Sequence, residues 1–307
     1  MFNLLKKIVR RLPEPWYRVI RNFMGIPESL NENQRSLQML AAFLLQQKYE
    51  SVAESQAHKL EINKFEVKVF SQNGEDGILL YIFSKIGATN RYFVEFGCGD
   101  GIECNTANLS INFGWHGLLM DCDDRNVAIA KHYYQDRLGT RSPDVQVIKV
   151  QVTKENINKV LSDNLSVGEN IDLLSIDIDG NDFWVWKAIT AINPRVVVIE
   201  YNASMGYDKS LTVKYDPNFD RVKKHPSGFY HGASLAALTK LAKSKGYILV
   251  GCDSTGINAF FVRKDATHAR LSEVSVQEAY FPQSRRSERL STSEQFECIE
   301  HLDFDYV

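Results

Sequence analysis

Cysteine is scarce in this chain of 307 residues, and the five present, Cys98, Cys104, Cys122, Cys252 and Cys298, are an odd set without metal-finger spacing. That argues against a disulfide framework or a thiolate-bound zinc and for reduced thiols in a cytosolic compartment. Long apolar runs are missing as well, since no stretch reaches the roughly 18–20 residues a spanning helix needs. The opening Met1-Phe2-Asn3-Leu4-Leu5-Lys6-Lys7-Ile8-Val9-Arg10-Arg11-Leu12 is broken by charges and has no small-residue cleavage site after it. It therefore does not read as a signal peptide. No charge sign dominates, and a formal net charge of -2 gives no global reason to expect nucleic acid. Neither a broad basic stripe nor an Asn/Asp-Pro-Pro-aromatic block is present, and there is no internal repeat. What is present is 44% hydrophobic and 11% aromatic residues, enough for a substantial core in one large domain with an appendage.

Three regions follow from the pattern along the chain. Residues 1–65 read as a helical appendage. Near its start six basic residues, Lys6, Lys7, Arg10, Arg11, Arg18 and Arg21, face only Glu14. With Phe2, Leu5, Ile8, Val9 and Leu12 they permit an amphipathic helix that ends or bends at Pro13 and Pro15. Its basic face is either simply solvated, or a peripheral contact with a membrane, a protein or a polyanion. A second helix is expected over residues 36–59. Residues 66–270 alternate strands and helices, with strands expected at 92–96, 118–121, 145–150, 171–177, 196–201, 247–252 and 259–262. This is the pattern of an α/β, Rossmann-like, mostly parallel seven-stranded sheet covered on both faces and closed by an antiparallel hairpin. Residues 271–307 read as an acidic tail, with eight acids against three arginines over 272–307.

Chemistry concentrates at the expected strand ends. The run Tyr92-Phe93-Val94-Glu95-Phe96-Gly97-Cys98-Gly99-Asp100-Gly101 carries an apolar strand into an acid and a glycine triplet. Glycines at this spacing let a nucleoside-bearing cofactor approach backbone closely. Glu95 is placed either to hold water or a ligand ammonium, or to cap local backbone donors. Asp121, ending the next strand, is the choice for accepting both hydroxyls of a ribose, with Asp123 and Asp124 as competitors. Further on, Asp177 and Asp179 end one strand while Glu200 and Asn202 end another. Side by side they would gather oxygen ligands for a hard ion such as Mg²⁺, or form a carboxylate network around loop amides. His225 and His231, in an aromatic, glycine-bearing loop, are candidate proton acceptors. Tyr207, Lys209, Tyr215 and Tyr230 are candidate substrate-wall residues, because the connection over 205–227 is long enough to form a lid.

These blocks together resemble the FkbM-like group of class I S-adenosylmethionine-dependent methyltransferases. The resemblance spans residues 70–264. It rests on Ser71-Gln72-Asn73-Gly74-Glu75-Asp76-Gly77, the glycine run above, Gly114-Trp115-His116-Gly117-Leu118-Leu119-Met120-Asp121, and Ser175-Ile176-Asp177-Ile178-Asp179-Gly180. It implies methyl transfer to a hydroxyl of a sugar, glycan or natural product, with S-adenosylhomocysteine as product. By the same carry-over Glu95, Gly97 and Gly99 meet the methionine end of the cofactor, Asp121 the ribose, and Gln72 and Asp76 the pocket. Asp177, Glu200 and Asn202 resemble a divalent-metal set, and His231, His225 and Asp177 are the candidates for activating the acceptor. Asp121 stands where many relatives carry glutamate, and Glu200-x-Asn202 is not the adjacent acid–amide pair of catechol-type enzymes.

Two other classes remain as alternatives. A noncatalytic methyltransferase-like assembly protein would account for the basic appendage, and an NAD(P)-dependent oxidoreductase would share the strand–glycine turn. The partner expected is a hydroxyl-bearing small molecule or glycan, not nucleic acid, and a monomer or an oligomer is left open. The location expected is cytoplasmic, with the inner face of the membrane as a second address through the basic helix.

Overall fold

The computed structural model describes residues 44–50, 61–137, 144–165 and 170–307. The chain divides into two compact units, residues 1–47 and 48–307, and the second carries the sheet. The basic helix expected near the N-terminus lies outside the described residues, as does most of the one expected over 36–59, of which 44–50 is described and helical.

All seven expected strands form: β1 Tyr92–Phe96, β2 His116–Asp121, β3 Val145–Lys149, β4 Leu173–Ile176, β5 Val196–Glu200, then β7 Tyr247–Cys252 and β8 Asn258–Arg263. A short β6, Leu211–Val213, intervenes in sequence and joins a separate two-stranded sheet with β9, Phe304–Tyr306. The main sheet has the order β3-β2-β1-β4-β5-β8-β7. Strands β1 to β5 pair in parallel, and β8 runs antiparallel between β5 and β7. The central strands β1, β4 and β5 are apolar almost throughout because helices cover both faces. The covering helices include α1 Glu75–Ile86, α2 Ala107–Phe113, α3 Asp124–Lys131, α4 Ile157–Asn164 and α5 Asp182–Ala188; a four-residue α6, Arg221–Lys224, buries no residue and lies in the connection after β6, before the covering α7 Leu235–Ser244. Strand order reverses between β1 and β4, and there a doubly wound sheet opens a crevice at its carboxyl edge. Among the described residues no helix is long and apolar enough to cross a membrane.

Residues 271–307 pack onto the domain. They form α8 Val276–Ala279, α9 Ser284–Ser287, α10 Thr292–Glu297 and β9. Ile299 is fully buried with Met205, Leu211, Val213 and Tyr230, and Phe219, Phe229, Phe296 and Phe304 pack around them. The insertion over 205–230 and the C-terminal segment thus build a small second core together. Periodicity alone could not reveal this, because each half contributes only scattered aromatics.

Candidate functional site

Two hollows of about 490 and 870 Å³ open over the carboxyl ends of β1, β2 and β4. They share Gly97, Gly99, Asn126 and Asp177, so they form one cleft across the reversal point. Its floor needs glycine. Gly97 has φ +69°, and a Cβ there would lie 1.6 Å from the Asp177 carbonyl oxygen. The β1 and β4 ends could not approach so closely with any other residue. Gly99, at φ +57°, has open space where its Cβ would be, and its N–H donates to Asp121 Oδ2 at 2.9 Å.

The three acids after β2 separate by what they touch. Asp123 caps α3, accepting from Arg125 N and Asn126 N, and Asp124 pairs with Lys149 at 2.7 Å. Asp121 lines the cleft and receives Gly99 N and Asp123 N at 2.9 and 2.8 Å. Glu95, buried beside the glycine turn, accepts from Asn105 N, Thr106 N, Thr106 Oγ1 and Ser175 Oγ. It therefore fastens the loop leading into α2 while still lining the cleft. Gln72 is exposed on the cleft wall. Asp76 is not among the lining residues. Its Oδ2 gathers Val69 N, Phe70 N and Ser71 N, and burial raises its pKa to about 6 despite those bonds. Glu75 lines the cleft instead, held by Asn73 and Asn258. It opens α1 one residue before Asp76, and no local pattern distinguishes the two acids.

Acids crowd the end of β4. One oxygen each from Asp177, Asp179 and Glu200 lie within 4.8 Å of one another. Asp177 sits at the cleft floor. Enclosure by the walls, then the charges of Asp182, Asp179 and Glu95, push its pKa up to about 8, with Arg221 offsetting part of the rise. Water reaches this carboxyl from the cleft mouth, yet the dense surroundings leave its charge poorly solvated. Asp179 adopts φ 56° and holds Arg221 Nη1 at 2.9 Å. Asp182 closes the turn by accepting from Ile178 N and Gly180 N, and burial lifts its pKa to about 6. Glu200, just behind this group, has a buried Oε2 without a hydrogen bond, and burial followed by the charge of Asp177 raises its pKa well above the usual range. Asn202 does not join the acids. Its amide nitrogen donates to the Phe229 and His231 carbonyls, and its oxygen accepts Ser204 N. The donor set that fits a hard cation is therefore Asp177, Asp179 and Glu200.

Neither candidate histidine lines the cleft. His231 is 1% exposed, and burial together with Arg221 and Arg286 holds its pKa well below normal, so the ring is neutral. His225 binds Ser227 Oγ at 2.7 Å and faces His301, while the next three residues, Pro226, Ser227 and Gly228, form cleft wall. From the long connection the wall receives Pro217, Phe219, Asp220, Arg221 and Val222. The four candidates there turn elsewhere: Tyr207 packs on Tyr280, Lys209 over Phe296, Tyr215 donates to Glu155, and Tyr230 donates to the Asp303 carbonyl.

No family model matches the chain, and no curated protein matches it. Among solved structures it is similar to the N-terminal domain of EvdMO1 with SAH bound, at 12% identity over 63% of this chain and 81% of that one, TM-score 0.38. It is also similar to magnesium protoporphyrin IX methyltransferase (ChlM) from Synechocystis PCC 6803 with bound SAM, at 12% identity, 62% and 78% coverage and TM-score 0.39. A third is the O-methyltransferase from Bacillus cereus in complex with SAH, at 16% identity, 58% and 76% coverage and TM-score 0.36. The fold is established by the strand order of the chain itself, and no residue role is taken from these structures.

Proposed function

We propose that the chain is an S-adenosylmethionine-dependent O-methyltransferase of the FkbM-like kind, acting on a hydroxyl of a sugar, glycan or natural product. The observation that carries this reading is the charge of the cleft. One half is lined by Glu75, Glu95, Asp100, Glu103 and Asp177 against Arg125 alone. The other half is lined by Asp121, Asp123, Asp177, Asp179 and Asp220 against Arg221. Such walls repel the pyrophosphate of a dinucleotide and attract a ligand bearing a sulfonium and an ammonium. The same contrast weighs against the oxidoreductase alternative.

Each part of the cleft then has work to do. Asp121 retains acceptor capacity beyond its two backbone contacts, which suits a ribose diol. Cys122, Val150 and Val152 offer an apolar wall for a purine. Gly99 keeps the floor open for the ligand to lie against backbone. When bound, S-adenosylmethionine supplies an electrophilic methyl whose transfer to oxygen breaks the C–S bond and cancels the sulfonium charge. Asp177, reaching both hollows, takes the proton from the acceptor hydroxyl. A carboxyl poised near pH 8 is a far better base than one of ordinary acidity. A divalent ion held by Asp177, Asp179 and Glu200 would instead lower the pKa of a chelated hydroxyl directly, in place of a free Asp177 base. The buried His231 acts behind these acids, not on the substrate.

Calorimetric titration with S-adenosylhomocysteine, with Mg²⁺ and with EDTA, and with NAD in parallel, tests the reading. Saturable binding of S-adenosylhomocysteine and none of NAD is expected, followed by transfer of labelled methyl to hydroxylated acceptors. Binding of NAD alone would sink the proposal, and cofactor binding without transfer to any acceptor would favour the noncatalytic alternative.

A further inference from the structure

We propose that Arg286, from the C-terminal segment, is a positioning residue of the acid site: it fixes the tautomer of His231 and so aims a single N–H at Glu200. The inference deepens the reading of the cleft given above and rests on it for its functional meaning. Arg286 Nη2 lies 3.1 Å from His231 Nε2. A guanidinium has donors only, so Nε2 must accept, and the proton of the neutral ring must sit on Nδ1. That N–H faces Glu200 Oε2 at 3.6 Å, and neither atom has any hydrogen-bond partner. Both are buried, and an unpaired buried donor facing an unpaired buried acceptor is costly unless something draws them together.

The separation exceeds a hydrogen bond by a few tenths of an ångström. A small inward movement of Glu200 closes it. Oε2 then accepts the His231 Nδ1 proton. Arg286 is itself firmly placed. Nη1 donates to Ser204 Oγ at 3.0 Å, the Ser204 hydroxyl donates on to Gln295 Oε1 at 2.7 Å, and the guanidinium lies 5.6 Å from the Phe229 ring centre. Two residues of the C-terminal region, Arg286 and Gln295, with Ser204 after β5, thus make the geometry of Glu200 depend on residues 286–295, outside the Rossmann-like core.

The test is the ring-nitrogen spectrum of His231 in the 307-residue chain labelled with ¹⁵N-histidine and ¹³C-glutamate at pH 7, assigned by His231→Gln and Glu200→Gln controls. Wild type is expected to show Nδ1 protonated and Nε2 bare. Arg286→Met keeps the stem over Phe229 but removes the donor, and should lose that signature and shift the Glu200 carboxyl ¹³C resonance. Arg286→Lys, a donor without an acceptor, should restore both. A protonated Nε2 in wild type would overturn the proposal even if the Met variant failed to fold. An unchanged His231 and Glu200 in a folded Arg286→Met would overturn it as well. Titration of wild type with S-adenosylhomocysteine runs beside it: absent binding there counts against the methyltransferase reading and leaves the tautomer result intact.

Discussion

Asp172 and Asp177 lie at opposite ends of one strand, and their surroundings could hardly differ more. Asp172, buried at the amino edge of the sheet, receives Thr89 N, Thr89 Oγ1, Asn90 N, Arg91 N and Arg195 Nη1 at 2.8–3.0 Å. Arg195 is held in turn by the carbonyls of Ile86 and Gly87. Among the described residues no hydrogen bond reaches the Asp177 carboxylate, and its nearest charged company is mostly acidic. The amino edge spends its acid on holding the chain together. The carboxyl edge concentrates acids that Arg221 only partly neutralises, and that imbalance is what a cationic ligand would relieve.

Exchanging acid for amide at both positions should separate the two roles most sharply. Asp177→Asn is expected to cut methyl transfer by about 10²-fold or more, the scale of a lost general base. Its urea midpoint should stay level or rise, because repulsion with Asp179 and Asp182 is removed. Asp172→Asn should do the reverse. Leaving Arg195 buried without its counter-charge costs about 3–5 kcal/mol, while the folded fraction binds S-adenosylhomocysteine normally. A stable Asp172→Asn beside an unstable Asp177→Asn would invert the comparison. Gly97→Ala should damage both properties, since its Cβ would meet the Asp177 carbonyl at 1.6 Å. Loss of soluble protein, or of stability and cofactor binding together, is the expected result, and a wild-type melt would show that the β1–β4 approach is looser than described.

Much of the fold was legible because the central strands are near-continuous apolar runs ending in glycine or acid, such as Tyr92–Phe96 and Val196–Glu200. Strand ends of that kind also placed Asp121 and Asp177 in the cleft. Less legible were contacts made across sequence. Asn202 reads as a ligand beside Glu200, but its amide ties together the loop at 229–231, whose carbonyls no local pattern announces. His231 reads as an exposed loop base until the C-terminal segment packs over it with Arg286. Asp76 and Glu75 are adjacent, and only the turn of α1 decides which faces the cleft.

The pH dependence of stability offers a finer probe of the same asymmetry. In the folded chain, poor solvation between the cleft walls and then neighbouring acids push the Asp177 carboxyl up to about 8, against an ordinary aspartate value of about 3.9. A folded pKa above the unfolded one means the folded state binds the proton more tightly. The resulting stability is complete below about pH 4 and is lost as pH rises through about 8. Asp76, Asp182 and Asp253, each raised to about 6 chiefly by burial, have the same sign but are exhausted near pH 6. Between pH 6 and 8 the decline should therefore belong mainly to the Asp177–Glu200 group, and Asp177→Asn should flatten it in a series of urea melts. Methyl transfer should run the other way, rising with pH as the base ionises. A stability curve that slopes equally in wild type and variant would mean the acids at the carboxyl edge are already neutralised by something else.

The smallest effects are expected at the end of β2, where Asp121 and Asp123 repeat the contrast within three residues. Asp123→Ala removes the cap of α3 and should cost about 1 kcal/mol of stability, with S-adenosylhomocysteine affinity little changed. Asp121→Ala removes an acceptor for a ribose diol, worth about 1–2 kcal/mol or roughly a ten-fold weaker Kd, with transfer preserved at saturating cofactor. Asp121 also holds Gly99 N and Asp123 N, so part of any loss could come from a relaxed turn. Asp121→Asn separates the two contributions. Its amide oxygen can still accept one of the backbone N–H bonds, but it has lost the charge and the paired acceptor geometry that a diol uses. A weak-binding Asn variant with a wild-type melt assigns the loss to the ligand. Restored binding in the Asn variant would place Asp121 with Asp172, among the acids that hold the chain.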